Sequence, residues 1–159
     1  MQIRTRRLVI RDFRQDDAES LYQLLSDTEV MRYLERPYSK DKTALFLNQA
    51  GLSWPPLIYA VDDWRGKFIG YVIFHPYDEE SYEIGWVLRK DEWGKGYAQE
   101  LTEALVAYAG EKTGYLVIEC SPGQRITKRI AERNGFIFGG QGRHFRCLPV
   151  KGRKPKITK

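Results

Sequence analysis

The chain has 159 residues, 13% of them aromatic, and a formal net charge of +5 at neutral pH. That length favours one domain with a core of its own, and that aromatic content excludes an intrinsically disordered chain. The longest apolar runs, around residues 71–74 and 115–118, have only strand length, so no membrane span and no membrane partner are expected.

The opening MQIRTRRLVIRDF lacks the apolar core and small-residue cleavage site of a signal peptide. Cys120 and Cys147, like His75 and His144, form no closely spaced ligand set. No metal and no disulfide framework are therefore expected, and the cytoplasm is the default compartment. Residues 151–159 hold Lys151, Arg153, Lys154, Lys156 and Lys159 with no acid; 26 basic residues less those five leaves 21, equal to the 21 acids. A nucleic-acid-binding domain carries its basic surface on its folded body. Here residues 1–150 are formally neutral, so the expectation is one domain over 1–150, a frayed basic tail over 151–159, and no specific nucleic-acid partner.

In chain order, residues 6–13 read as a strand with Leu8 and Ile10 on one face. Asp16 and Asp17 suit the start of a helix whose Ala18, Leu21, Tyr22 and Leu25 share a stripe. A short second helix is predicted over residues 29–34 and a third over 41–50, stopped by Gly51 and by Trp54-Pro55-Pro56. The period then changes to two: residues 57–61, 68–74 and 82–88 read as consecutive antiparallel strands, with turns at 64–66 and 78–80. Residues 96–112 form the strongest helical pattern, with Tyr97, Leu101, Ala104, Leu105 and Tyr108 at three-four spacing. A strand over 115–120, a helix over 124–133 ended by Asn134-Gly135, and closing strands over 136–138 and 145–150 complete the chain. The order implies an α+β fold, a mixed sheet flanked by helices.

The stretch running from Trp86 to Glu100 is the most informative. A strand runs into Gly94-Lys95-Gly96 and at once into the long helix. At such a junction unpaired backbone N–H groups and the helix dipole favour an anion, and glycines permit close approach of backbone to ligand. On Gly-x-Gly alone, a plain glycine turn between a strand and a helix is the favoured reading. Neither the third glycine of a dinucleotide fingerprint nor the Lys-Ser/Thr pair of a phosphate loop follows.

With its neighbours, this stretch resembles the GNAT superfamily of N-acetyltransferases, and within it the Rim-type branch that modifies ribosomal proteins. Residues 5–11 (TRRLVIR) resemble that branch's opening strand and residues 16–34 its first two helices. Residues 83–88 (EIGWVL) are similar to its fourth strand, 93–98 (WGKGYA) to its pyrophosphate loop, and 124–136 to its late helix. Asp91 stands where the superfamily signature opens with Gln or Arg, Gln124 and Thr127 replace Asn and Ser, and Ala131 takes the place of a common tyrosine acid.

The resemblance implies a mostly antiparallel sheet of about six to seven strands, the fourth and fifth splayed. It implies acetyl-CoA bound by Trp86, Val87, Leu88, Arg89, Glu92, Trp93, Gly94, Lys95, Gly96, Tyr97, Ala98, Gln124 and Thr127, with a backbone N–H near Val87–Arg89 as oxyanion donor. Acyl transfer needs a neutral amine and a base. Glu119, which breaks an apolar strand, ranks ahead of Glu83 as that base; Thr127 and Ser121 are candidates to protonate the thiolate, or else helix caps. Tyr33, Tyr38 and Trp54-Pro55-Pro56 are expected to wall the acceptor site. The expected partners are acetyl-CoA and a primary amine, either a protein N-terminus or a small amine, and the expected protein is a monomer or homodimer. Antibiotic or polyamine acetylation and a non-catalytic acyl-CoA sensor are the alternatives.

Overall fold

A computed structural model describes residues 1–110 and 112–138, and the backbone of 144–147. The expected tail at 151–159 and the end of the last strand, 148–150, lie outside the described residues. The elements are β1 (Ile3–Arg4), β2 (Leu8–Arg11), α1 (Ala18–Leu25), α2 (Lys40–Phe46), β3 (Ile58–Asp63), β4 (Phe68–Pro76), β5 (Ser81–Leu88), α3 (Tyr97–Ala109), β6 (Tyr115–Glu119), α4 (Arg125–Arg133), β7 (Ile137–Phe138) and β8 (His144–Cys147). They divide into two compact units, one of Met1–Ile73 with Trp86–Tyr97, the other of Phe74–Gly85 with the described residues from Ala98 on. β4 and β5 each begin in one unit and end in the other.

In the first unit β1, β2, β3 and β4 pair antiparallel in sequence order, with Ile3 opposite Ile10, Leu8 opposite Asp63, and Ile58 opposite Ile73. Alternation on β2 buries Leu8 and Ile10 and leaves Val9 and Arg11 half-buried. Leu21, Leu24 and Leu25 bury the stripe of α1 with Phe13, Leu47, Phe68 and Tyr71 in one apolar cluster. Arg11 ties three segments together: its guanidinium donates to Asp17 at 2.8 and 2.9 Å and to Asp62 at 2.7 Å. Asp17 also accepts the Arg14 N–H at 2.7 Å, so it caps a 3₁₀ turn over Gln15–Asp17 that precedes α1.

The helix predicted over 29–34 is a series of turns instead. The Asp27 carboxylate accepts the N–H groups of Glu29 and Val30, a local bond that competes with a helical ladder. The third predicted helix splits into α2 and a wide π turn, Leu47–Gly51, closed by Leu52 N–H on the Leu47 carbonyl.

In the second unit β5 pairs with β6 in parallel, β6 with β8 and β7 with β8 antiparallel. The β5–β6 pairs are Ser81–Tyr115, Tyr82–Leu116 and Glu83–Val117, the first three residues of each strand, and β5 continues beyond them through Leu88. α4 ends as its Asn134-Gly135 predicts: Gly135 has φ of +87°, its N–H donates to the Glu132 carbonyl, and Phe136 N–H donates to Ala131. The sheet has eight strands among the described residues, two of them only two residues long, where six to seven are expected.

Candidate active site

The loop between β5 and α3 has the shape its glycines permit. Gly94 and Gly96 take φ of +75° and +81°, in the left-handed region. A Cβ added at Gly94 would meet nothing within 4 Å, and one at Gly96 would meet only the end of the Arg7 side chain. Open space over left-handed glycine backbone at a helix start fits the backbone cradle that a pyrophosphate requires.

The side chains around this loop are fastened from behind. Glu92, 4% exposed, accepts from Lys67 on one carboxylate oxygen and from Lys95 on the other, both at 2.9 Å. Burial pushes the Glu92 carboxyl up, but the two lysine hydrogen bonds outweigh it and hold it below the ordinary value. Arg7 donates to the Lys95 carbonyl at 2.7 Å, and its guanidinium stands 4.5 Å over the Tyr97 ring. The Trp93 indole donates to the Leu88 carbonyl at 3.0 Å.

Backbone direction at the end of β5 follows from two contacts. Arg89 N–H donates to the Ile69 carbonyl at 2.9 Å, and the Val87 carbonyl packs against Gly70, where an added Cβ would lie 2.1 Å from it. Positions 87 and 89 therefore aim their backbone groups at β4, and strand alternation turns those of Leu88 to the opposite edge. Of the three candidate oxyanion donors, Leu88 N–H alone faces away from β4. Arg89 pairs with Asp91 at 3.1 Å, and Trp86 is half-buried. A cavity of about 490 Å³ in this unit is lined by Leu24, Asp27, Val30, Arg89, Lys90 and Asp91 among others.

The expected acceptor-wall aromatics differ from one another. Trp54 is 89% exposed and Tyr33 is also exposed. Tyr38 stands edge-on to Phe46 at 5.8 Å and donates to Glu35; burial first, then Glu35, push its hydroxyl up to about 12.

In the second unit both candidate bases lie on one face of the sheet. Glu83 pairs with Val117, and Glu119 follows Val117 by two residues, which in a pleated strand restores the same side. Glu119 is exposed and accepts from the Tyr77 hydroxyl at 2.6 Å. Glu83 is half-buried and meets His75 Nε2 at 3.0 Å, while His75 Nδ1 faces the Pro76 carbonyl at 2.8 Å. The Glu83 hydrogen bond first, and the Pro76 carbonyl in addition, raise the His75 pKa against the opposing effect of burial.

Gln124 accepts from the Ser121 N–H at 2.6 Å and holds the turn before α4, on which Thr127 is half-buried. Ala98 accepts the Thr102 hydroxyl at 2.7 Å. Ala131, where the family's tyrosine is common, is fully buried.

Arg7, Lys67, His75 and Tyr77 were not singled out as site residues from sequence. Only His75 carried a usable signal: a hairpin centred on Glu79 sets position 75 opposite 83, as the Tyr77 N–H to Ser81 carbonyl bond shows. The contacts of Arg7 and Lys67 reach the loop from far away in the chain and have no local pattern.

Comparison with known proteins decides the family. The model of the acetyltransferase (GNAT) domain matches residues 7–137. The chain belongs to the GNAT acetyltransferases. It is 30% identical to an uncharacterized N-acetyltransferase, YnaD, of Bacillus subtilis, over 94% of this chain and 89% of that one. A GNAT acetyltransferase structure from Bacillus anthracis superposes with a TM-score of 0.84 at 26% identity, covering 94% of this chain and 99% of that one.

Two more distant structures share the fold. RimL, a ribosomal L7/L12 α-N-protein acetyltransferase solved with coenzyme A, has a TM-score of 0.80 at 17% identity over 93% and 98% of the two chains. A spermidine N-acetyltransferase from Vibrio cholerae, solved with coenzyme A and spermine, has 0.77 at 21% over 91% and 96%. The family makes this protein an acetyl-CoA-dependent acetyltransferase. Among the described residues no helix is long and apolar enough to cross a membrane.

Proposed function

We propose that the protein transfers the acetyl group of acetyl-CoA by direct attack of a primary amine, a protein N-terminal α-amine of the Rim-type kind, with Glu119 as general base. The observation that carries the base is the exposed Glu119 carboxylate at the end of β6, which among the described residues accepts from a phenol and pairs with no cation. An unneutralised carboxylate attracts the ammonium form of the acceptor and then takes its proton.

Acetyl-CoA brings an activated thioester; the chain's part is to hold it, to donate to the developing oxyanion and to move the proton. The open backbone of residues 94–96, with its two glycines at positive φ, supports the loop as the cofactor's cradle. The Leu88 N–H, facing away from β4, supplies the oxyanion donor. Gln124 and Thr127 are read as further cofactor contacts and Thr127 as the relay to the thiolate. An α-amine with a pKa near ~8 loses its proton more easily than a lysine near ~10.4, a difference of about 3 kcal/mol, which favours an N-terminus as acceptor.

A second acceptor has one observation in its favour. Tyr77, which holds Glu119, adjoins the exposed acidic turn Asp78, Glu79, Glu80, a surface suited to a polycation. Thiol release from acetyl-CoA with a panel of ribosomal-protein N-terminal peptides, spermidine and an aminoglycoside separates the two. Turnover of peptides above spermidine is expected, and the reverse order replaces the first acceptor with the second.

A further inference from the structure

A carboxylate, Glu92, is buried behind the loop read as the phosphate cradle. Glu92 sits two residues before Gly94, where a negative charge opposes an anionic ligand. Its two oxygens are nevertheless each occupied by an ammonium, from Lys67 before β4 and from Lys95 within the loop. Lys67 also stands 3.9 Å from Asp91. On the far side of the loop Arg7 holds the Lys95 carbonyl and covers the Tyr97 ring. The loop is thus gripped at its start through Glu92 and at its end through Arg7, while the space at Gly94 is left open.

We infer that Glu92, Lys67 and Arg7 are positioning residues that hold residues 94–96 in the cofactor-ready conformation before any ligand arrives. The inference rests on the reading of that loop as the cofactor cradle. Two glycines at positive φ explore many conformations when unrestrained, and ordering them on binding would subtract from affinity. A brace built from a lysine just before β4 and an arginine upstream of β2 removes that freedom in advance. The charges agree: Glu92 carries one negative charge and gathers two positive ones, so the brace as a whole does not repel phosphate. Neither Lys67 nor Arg7 needs to touch the cofactor, and none of the three is placed near the acyl group.

The test uses the whole chain and acetyl-CoA itself. Lys67→Met and Arg7→Met alter half-buried or exposed side chains and so spare the fold; Glu92→Gln probes the buried member. Each is expected to raise the acetyl-CoA Kd roughly three- to tenfold by calorimetry, the usual worth of lost preorganisation. Each should also speed amide hydrogen exchange at residues 94–96 in the cofactor-free protein. For Lys67→Met and Arg7→Met, turnover at saturating acetyl-CoA, with the best amine of the panel, should stay within about twofold of wild type. An unchanged Kd in Lys67→Met and Arg7→Met overturns the brace. So does tighter binding in Glu92→Gln, which would mean that the carboxylate merely competes for the lysines. Gly96→Val separates the two levels: if it leaves the Kd unchanged, the cradle reading fails, and if it abolishes binding while Lys67→Met and Arg7→Met leave the Kd unchanged, only the brace fails.

Discussion

Glu92 in the first unit and Glu119 in the second have opposite surroundings. Glu92 is buried with an ammonium on each oxygen, while Glu119 is exposed at a strand end with a phenol on one. Leaving a buried charge uncompensated is costly, so Glu92 stays ionised only because two lysines reach it. Its pKa is lowered, so its contribution to stability is present above the unfolded carboxyl value and is lost as pH falls through the folded one. A group pinned in that way is a fastener and a poor proton acceptor. Glu83 stands between the two, half-buried against an imidazole. Accessibility and the charge of the partner, more than the residue type, are the ground on which we propose different roles for these three glutamates.

The largest expected effect tests that sorting directly. Glu119→Gln should keep acetyl-CoA affinity and lower turnover by roughly 10²–10⁴-fold, the usual worth of a general base. The deficit should shrink as pH rises, because the amine then loses its proton without help. Glu83→Gln is the matched control and Glu92→Gln the contrast, since its loss belongs in affinity. Steady-state kinetics that cripple Glu83→Gln and spare Glu119→Gln would exchange their roles. If neither variant slows turnover, the acceptor is deprotonated by solvent.

The same contrast, between a position enclosed on all sides and one facing open space, separates two glycines of the first unit. An added Cβ at Gly70 would come within 2.1 Å of the Val87 carbonyl oxygen and 2.9 Å of Leu88 Cα, both backbone atoms that cannot step aside. Gly70→Ala is expected to cost about 3 kcal/mol or more. Gly94 has room but an unfavourable φ, so Gly94→Ala is expected to cost about 1 kcal/mol. Urea unfolding of the two variants measures both. Equal losses would mean that backbone strain, not the approach of β4 to β5, dominates at Gly70.

Much of this architecture is legible in the chain. Period-two runs located β3, β4, β5 and β6 to within two residues, and three-four spacing located α3. Those signals are local, and β3, β4 and β6 are buried on both faces. The reading failed where a side chain overrode the local pattern, as when Asp27 capped turns in place of a helix over 29–34. It also missed the brace, because Arg7 and Lys95 are 88 residues apart and Lys67 and Glu92 are 25 apart. The glycine loop was readable because φ above zero restricts the residue type. The partners of Glu83 and Glu119 required strand register, which composition does not carry.

The smallest expected effect concerns His75. Its Nδ1 lies 2.8 Å from the Pro76 carbonyl and its Nε2 lies 3.0 Å from the Glu83 carboxylate, so both ring nitrogens face acceptors. A neutral imidazole carries one N–H and can satisfy only one of them. The imidazolium satisfies both, which is why the pKa stands above the usual 6.5, with the Glu83 hydrogen bond as the main cause and burial opposing it. A group whose folded pKa is raised stabilises the fold fully below its unfolded pKa and loses that contribution as pH rises through the folded value. The pair is partly solvated, so the gain should be about 1 kcal/mol or less. His75→Gln should therefore destabilise the protein more at about pH 5.5 than at about pH 8.5, as read by urea unfolding. NMR titration of the imidazole should give a midpoint above 6.5 in wild type and a lower one in Glu83→Gln. A midpoint at or below 6.5 in wild type would mean that the ring is neutral beside Glu83. In that case Glu83 resembles Glu119, a carboxylate without a cation among the described residues, and the order in which the two are ranked as base loses its physical ground.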